Sequence, residues 1–184
     1  MTVSTIGHST HSIDEFVRML EAHGVRQLVD VRTIPRSRRN PQFNLENLPA
    51  SLVAPGIGYR HMPGLGGLRH SRKDSVNTGW RNASFRGYAD YMQTPEFCEN
   101  LNQLIQLAAE APTAIMCAEA VPWRCHRSLI ADALVVQGID VLEIMNACKA
   151  QPHAMTPFAR VDGQRVTYPA EASSLDLPLF SQLE

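Results

Sequence analysis

Short apolar runs alternate with amphipathic segments along most of the chain, and this alternation restricts the fold more than any other feature. Five runs have the length and apolar character of buried strands, and segments with helical spacing separate them. These runs are 3–8, 27–32, 59–62, 113–118 and 140–145. Strands that alternate with helices form mainly parallel sheets. We therefore expect a single α/β domain, with a mainly parallel sheet and helices on both of its faces.

Local signals mark where several helices begin. Ser12 and Glu15 have the spacing of a capping box, in which each side chain satisfies a free amide at a helix start. Thr94 followed by Pro95 is typical of a second helix start. Further helices are expected at 82–92 and 126–137, with a helical turn within 45–53.

The alternation ends near residue 146, which divides the chain into three parts. We expect the α/β domain at 1–146, a C-terminal extension at 147–170 and a flexible tail at 171–184. The dipeptide Asp162-Gly163 predicts a small hairpin within the extension.

Composition indicates an ordinary globular protein. Of the 184 residues, 44% are hydrophobic, no apolar run reaches membrane-spanning length, and the first residues do not resemble a signal peptide. We expect a cytoplasmic protein without membrane contact, whose four cysteines are reduced thiols. Cys98 and Cys148 are interpreted as packing residues.

Charge is distributed unevenly along the chain. The net charge is −1, yet 32–86 contains ten Lys or Arg residues and only two acidic ones. Fifteen of the seventeen basic residues are Arg, whose forked guanidinium suits phosphate and carboxylate groups. This segment predicts an anionic partner.

The densest group of ionisable residues is CAEAVPWRCHRS at 117–128, between a predicted strand and a predicted helix. Ligands of open α/β sheets bind beyond the carboxyl ends of the strands. Two other predicted strands end in polar residues, so these side chains are expected to meet in one cleft. The candidate reactive residues are His8, Asp30, Cys117, Glu119, Cys125 and His126.

Cations at the start of the predicted helix need compensation. Arg124, His126 and Arg127 lie where the free amides already carry partial positive charge. A negative group is therefore expected beside them, either Glu119, Asp30 or a bound anion such as phosphate.

Three chemistries fit these residues, and the sequence leaves the choice open. The first is a nucleophilic cysteine, with Cys125 favoured over Cys117 because a helix start and nearby cations lower a thiol pKa. The second is a metal bound by Cys117, Cys125 and His126, although their spacing matches no standard zinc motif. The third is acid–base catalysis, in which Glu119 or Asp30 accepts a proton with a histidine assisting.

Residues expected to bind phosphate come from the basic segment and the helix start. They are Arg32, Arg36, Arg38, Arg39, Asn44, Arg124 and Arg127. The neighbouring aromatics Phe43, Trp80 and Phe85 could stack on bases, but for Trp80 and Phe85 core packing is the favoured interpretation. The chain has no P-loop and no dinucleotide fingerprint, and its motifs specify no cofactor.

Several motifs together resemble the family called domain of unknown function 488, over residues 3 to 169. They are TIGHST, LVDVRTIPRSRRNPQFN, GLGG, NTGWRNASFRGYADYM, CAEAVPWRCHRSLIADAL and TPFAR with TYP. The resemblance implies an α/β fold and no particular activity. Our own expectation is a three-layer fold, Rossmann-like or rhodanese-like. Carried over by motif, it marks His8, Asp30, Arg32, Arg38, Asn44, Cys117, Glu119, Cys125, His126 and Arg127. A more distant likeness to rhodaneses and cysteine phosphatases lies in LVDVR and in a cysteine between strand and helix, but no arginine follows Cys117 at the spacing of their loop.

The end of the chain carries a further motif. SLDLPLF at 174–180 resembles the tail motif that docks bacterial DNA-repair proteins onto the sliding clamp, with Leu177, Leu179 and Phe180 as apolar anchors.

These observations together predict an enzyme that acts on nucleic acid or a nucleotide, in DNA repair or modification. Two alternatives stay open: an adaptor that binds nucleic acid without chemistry, and a rhodanese-like thiol enzyme that transfers sulfur or cleaves phosphate esters.

Overall fold

The computed structural model describes residues 1–170, in which eight strands and five α-helices form. The strands are β1 (Thr2–Gly7), β2 (Gln27–Asp30), β3 (Gly58–His61), β4 (Thr113–Cys117), β5 (Asp140–Asn146), β6 (Lys149–Pro152), β7 (Arg160–Asp162) and β8 (Arg165–Thr167). The helices are α1 (Ile13–Ala22), α2 (Leu48–Val53), α3 (Ala83–Tyr91), α4 (Pro95–Glu110) and α5 (Arg127–Val136).

Six strands form one sheet in the order β3-β2-β4-β1-β5-β6. The first five are parallel and β6 runs antiparallel to β5. The mainly parallel α/β fold predicted from the sequence is therefore confirmed. Strand β6 was not predicted, because the sequence KAQP has neither an apolar run nor a regular alternation.

Helices cover both faces of this sheet, which gives three layers. Buried side chains of α1 and α2, such as Phe16 and Leu48, pack against Leu28 on one face. Side chains of α3, α4 and α5 pack on the other face, as Leu104 and Leu129 do. Both predicted helix starts are confirmed, since Ser12 accepts a hydrogen bond from the amide of Glu15, and Thr94 caps α4.

The extension after residue 146 shares the core of the preceding residues. Strand β6 lengthens the main sheet, and β7 and β8 form the predicted hairpin around Asp162 and Gly163. Tyr168 is fully buried, and its hydroxyl donates a hydrogen bond of 2.8 Å to Asp132 of α5. Residue 146 therefore does not divide the core. The predicted tail, 171–184, lies outside the described residues.

A buried polar network ties the extension to α5. The Asp132 carboxylate accepts hydrogen bonds from His153, Tyr168 and both the amide and hydroxyl of Thr156. The other ring nitrogen of His153 donates to Glu143 at 2.8 Å. Burial alone would lower the pKa of His153, but the two carboxylates outweigh burial and raise this pKa to about 9.

Within residues 1–170, no helix combines the length and apolar character that crossing a membrane requires.

The pKa of His153 predicts how the fold responds to pH. The ordinary histidine pKa is 6.5, and the pKa of His153 in the folded protein is about 9. Protonated His153 therefore contributes to the free energy of unfolding fully below pH 6.5, and this contribution is lost as pH rises through 9. Urea denaturation across this pH window should show the gap in free energy of unfolding between wild type and His153→Gln narrowing as pH rises. A gap that stays constant at every pH would contradict a charged His153.

Candidate active site at the carboxyl edge of the sheet

A crevice lies between the neighbouring strands β1 and β4, because the chain leaves them toward opposite faces of the sheet. After β1 the chain crosses one face of the sheet through α1, and after β4 it crosses the other face through α5. Ligands of open α/β sheets bind at such a switch point. A cavity of about 400 Å³ lies there, and its lining comes from the segments 8–10, 32–40 and 118–120.

The turn after β1 is built for close approach to the loop after β4. A Cβ atom on Gly7 would lie 1.9 Å from the backbone oxygen of Glu119, so a larger residue does not fit. Two residues on, Ser9 has a φ of +46°, in the left-handed region that favours glycine. Backbone strain of this kind is concentrated at functional sites, where the surrounding structure holds it in place.

Asp30 and Arg32 form a buried ion pair at the end of β2. The Asp30 carboxylate accepts hydrogen bonds from Nε and Nη2 of Arg32 and from the Tyr59 hydroxyl at 2.8 Å. Arg32 also donates to the Phe43 carbonyl and to Nε2 of His8, at 2.7 and 3.1 Å. These bonds use four of the five N–H groups of Arg32, so Arg32 mainly holds the site together. Asp30 is fully buried, and both of its carboxylate oxygens accept these hydrogen bonds.

His8 serves this ion pair as a neutral acceptor. Its Nε2 accepts from Arg32, and its Nδ1 donates to the Ser9 carbonyl at 2.9 Å. The ring stacks on Phe43 with centroids 4.2 Å apart, and burial lowers the pKa of His8 to about 4. Both ring nitrogens are engaged, so His8 orients the turn around Ser9 and has no free nitrogen for proton transfer.

Cys117, Cys125 and His126 meet behind this ion pair. Their ligand atoms all lie within 4.8 Å of one another. His126 donates from Nε2 to the Val31 carbonyl at 3.2 Å, which directs the lone pair of Nδ1 toward Cys125 Sγ at 3.7 Å. The three residues that the sequence grouped as metal ligands or thiol chemistry are therefore neighbours.

The two thiols differ in acidity. The hydrogen bond from Cys117, with help from the charge of Arg127, lowers the pKa of Cys125 well below its usual range. The same bond and burial raise the pKa of Cys117. Negative charge in this pair accordingly belongs on Cys125, the cysteine at the helix start.

Arg127 supplies a buried cation beside this pair. It is 1% exposed and donates to the Thr5 hydroxyl at 3.0 Å and to the backbone oxygen of Glu119 at 2.6 Å. Its Nε has no hydrogen-bond partner, and no carboxylate within residues 1–170 lies within ion-pair distance. Neither Glu119 nor Asp30 therefore provides the compensation that the sequence suggested for Arg127.

Other predicted site residues remain exposed at the cavity and the helix start. The side chains of Arg36, Arg38, Arg39, Arg124 and Glu119 form no hydrogen bond or ion pair with any part of the chain that the structure describes. Arg36 and Glu119 line the cavity itself. Asn44 is instead buried and accepts a hydrogen bond from the Ser37 amide at 2.6 Å, so it shapes the loop that carries these arginines.

Comparison with known proteins identifies the family. The model of the domain of unknown function DUF488 matches residues 12–134. The chain belongs to the DUF488 family. The match spans β2, β4 and the start of α5, and so includes Asp30, Arg32, Glu119 and the Cys117, Cys125 and His126 cluster. No curated protein and no solved structure matches the chain.

Sequence reasoning missed residues that complete the DUF488 site from a distance. Tyr59 on β3 reaches Asp30 because β3 and β2 pair in parallel with these residues two positions out of register, on the same face of the sheet. Knowledge of that pairing was the missing signal. Cys98 and Cys148 were wrongly interpreted as packing residues, since both are exposed.

The aromatic residues of the basic segment belong to the core. Trp80 and Phe85 pack with Phe158 and Tyr168, and Phe43 is fully buried against His8. Phe43 therefore has no face free for a base, and Trp80 and Phe85 are partly buried against the core.

A second cavity of about 400 Å³ lies elsewhere, lined in part by Arg60, His61, Asn100, Gln103 and Glu110. Its lining includes neither Arg32 of the buried ion pair nor a residue at the switch point, so we assign the candidate active site to the crevice between β1 and β4.

The buried ion pair predicts a large difference between two matched substitutions. Asp30→Asn leaves the buried guanidinium of Arg32 without a counter-charge and should lower the free energy of unfolding by about 3–5 kcal/mol. Asp74→Asn breaks an exposed pair with Arg72 and should have little measurable effect. Urea denaturation of both variants tests this, and equal losses would contradict a central role for the buried pair.

Proposed function

We propose that the protein is an enzyme that acts on a nucleotide, either free or as one unit of a nucleic-acid strand, in the cleft between β1 and β4. The observation that carries this proposal is the loop at the cavity rim, which presents three exposed arginines, Arg36, Arg38 and Arg39. They form no ion pair in the described chain, and guanidinium groups bind phosphate through paired hydrogen bonds.

The size of the cavity favours one nucleotide unit. Its volume of about 400 Å³ lies within the range of small-molecule pockets, roughly 300–1,000 Å³. A duplex does not fit such a space, whereas a free nucleotide or an unstacked base from a single strand does. Ser9, Thr10 and Asn40 add polar groups to the lining, which suit the sugar and base edges of a nucleotide.

Glu119 is the residue best suited to acid–base chemistry on this ligand. It is the one carboxylate in the cavity lining and it is exposed. Its side chain forms no hydrogen bond or ion pair with the described residues, so it is free to exchange a proton with a ligand. A rhodanese-like thiol reaction fits less well, because Cys125 is 4% exposed and neither cysteine lines the cavity. The adaptor alternative leaves the strained turn at Ser9 and the free carboxylate of Glu119 without a role.

The wider context is part of the same proposal. It includes a cytoplasmic location and a role in DNA repair or modification, both of which stay sequence predictions. The tail motif with Leu177, Leu179 and Phe180 lies outside the described residues, and docking onto the sliding clamp stays a sequence prediction.

Binding tests the phosphate role of the loop. We predict that Arg36→Ala/Arg38→Ala weakens binding of a labelled nucleoside diphosphate or single-stranded oligonucleotide by at least about tenfold, because two charge-assisted hydrogen bonds are lost. Fluorescence anisotropy across a salt series measures this. For single strands, the dependence of log affinity on log salt should fall by roughly 0.7 for each lost contact.

Lys73→Ala/Arg81→Ala is the matched control. It removes the same charge from exposed positions of the basic segment that do not line the cavity. Equal losses from both double variants would indicate general charge attraction and contradict a specific site. Binding to duplex and single strands with equal affinity would contradict recognition of one unstacked nucleotide.

Glu119→Gln separates binding from chemistry. The Glu119 side chain makes no described contact, so the variant should fold and bind like wild type while turnover falls by about 10²–10⁴, the usual contribution of a general acid or base. Mass spectrometry of incubated oligonucleotides and nucleotides detects the product. Full turnover in Glu119→Gln would remove Glu119 from the mechanism, and tight binding without turnover in wild type would favour the adaptor.

A further inference from the structure

We propose that Cys117, Cys125 and His126 bind a zinc ion between the end of β4 and the start of α5. This site is independent of what the cleft binds, because none of the three side chains belongs to the cavity lining.

The distances suit a tetrahedral ion. Zinc lies about 2.3 Å from cysteine sulfur and about 2.0–2.1 Å from histidine nitrogen, which places the donors of one ion roughly 3.5–3.8 Å apart. Cys125 Sγ and His126 Nδ1 are already 3.7 Å apart. All three donors lie within 4.8 Å of one another, so closing the site needs side-chain movement of about 1 Å at most.

The orientation of His126 is fixed in the form that a metal requires. Its Nε2 donates to the Val31 carbonyl, which leaves the lone pair of Nδ1 directed at the sulfurs. Metal-binding histidines are commonly held by such a bond from their second nitrogen. Tyr88 packs against the ring with centroids 5.0 Å apart, and Gly67 fits closely beside Nδ1 because it lacks a Cβ atom.

The charges and donor types favour zinc. Two thiolates carry the two negative charges that neutralise one divalent ion, and both cysteines lose their protons when the ion binds. Two sulfurs and an imidazole nitrogen select zinc over magnesium, calcium and manganese, which prefer oxygen.

Three protein ligands leave one coordination position open. Within residues 1–170, no fourth histidine, cysteine or carboxylate joins the cluster. Three ligands and an open position are typical of catalytic zinc sites, whereas structural sites have four. Ala118 and Glu119, which follow Cys117 directly, line the cleft, whereas the three donor side chains do not.

Metal content of the tag-free full-length chain tests the proposal. Protein expressed with added zinc and dialysed against metal-free buffer should retain about one zinc per chain by mass spectrometry, given three tight ligands. Cys125→Ser and Cys117→Ser should each lose the ion. Cys98→Ser and Cys148→Ser are matched controls that remove exposed thiols outside the cluster and should retain it.

Cobalt binding provides a readout that does not depend on folding of the variants. Titration of metal-free wild type with Co²⁺ should produce the thiolate-to-cobalt charge-transfer band and the intense visible bands of tetrahedral cobalt. Zinc should displace them at one equivalent. Failure of wild type to retain zinc together with absence of these bands would overturn the proposal, as would equal zinc loss in Cys148→Ser and Cys125→Ser. Nucleotide binding is measured separately by anisotropy, so the zinc proposal and the nucleotide proposal can each fail while the other stands.

Discussion

The buried ion pair between Asp30 and Arg32 holds the carboxyl edge of the sheet together. It receives the Tyr59 hydroxyl from β3, His8 from the end of β1 and the Phe43 carbonyl from the following loop. A buried charge pair is costly to form, and it persists only where hydrogen bonds satisfy both partners. Here those bonds connect the ends of β1 and β2 with the second residue of β3 and with Phe43, and so fix the position of the loop that carries the exposed arginines.

This constraint separates two groups of polar residues that look alike in sequence. His8, Asp30 and Arg32 are buried and use nearly all of their hydrogen-bonding capacity on one another. Arg36 and Glu119 line the same cavity but keep their side chains free. The first group builds the cleft, and the second is available to a ligand. Behind them, the Cys117, Cys125 and His126 cluster is joined to the ion pair through Val31, whose carbonyl orients His126.

Much of the fold is predictable from the sequence because the relevant signals are local. Alternating apolar runs located the five parallel strands, and the hydroxyls of Ser12 and Thr94 marked helix starts. The site is only partly predictable, since it depends on which strands are neighbours. Sequence grouped the cysteine cluster because its members end one strand and begin the next helix. It could not pair Tyr59 with Asp30, nor reveal that Asp132, Glu143 and His153 form one buried network, because these contacts join distant segments.

We propose above all that the crevice between β1 and β4 binds a phosphate-bearing nucleotide. Nuclear magnetic resonance of the backbone amides, during titration with a nucleoside diphosphate, tests it most directly. We predict saturable shifts centred on Ser9, Ser37 and Ala120, which line this cavity. Shifts centred instead on His61 and Asn100, in the second cavity of similar volume, would contradict the assignment. So would the absence of any saturable shift at millimolar nucleotide.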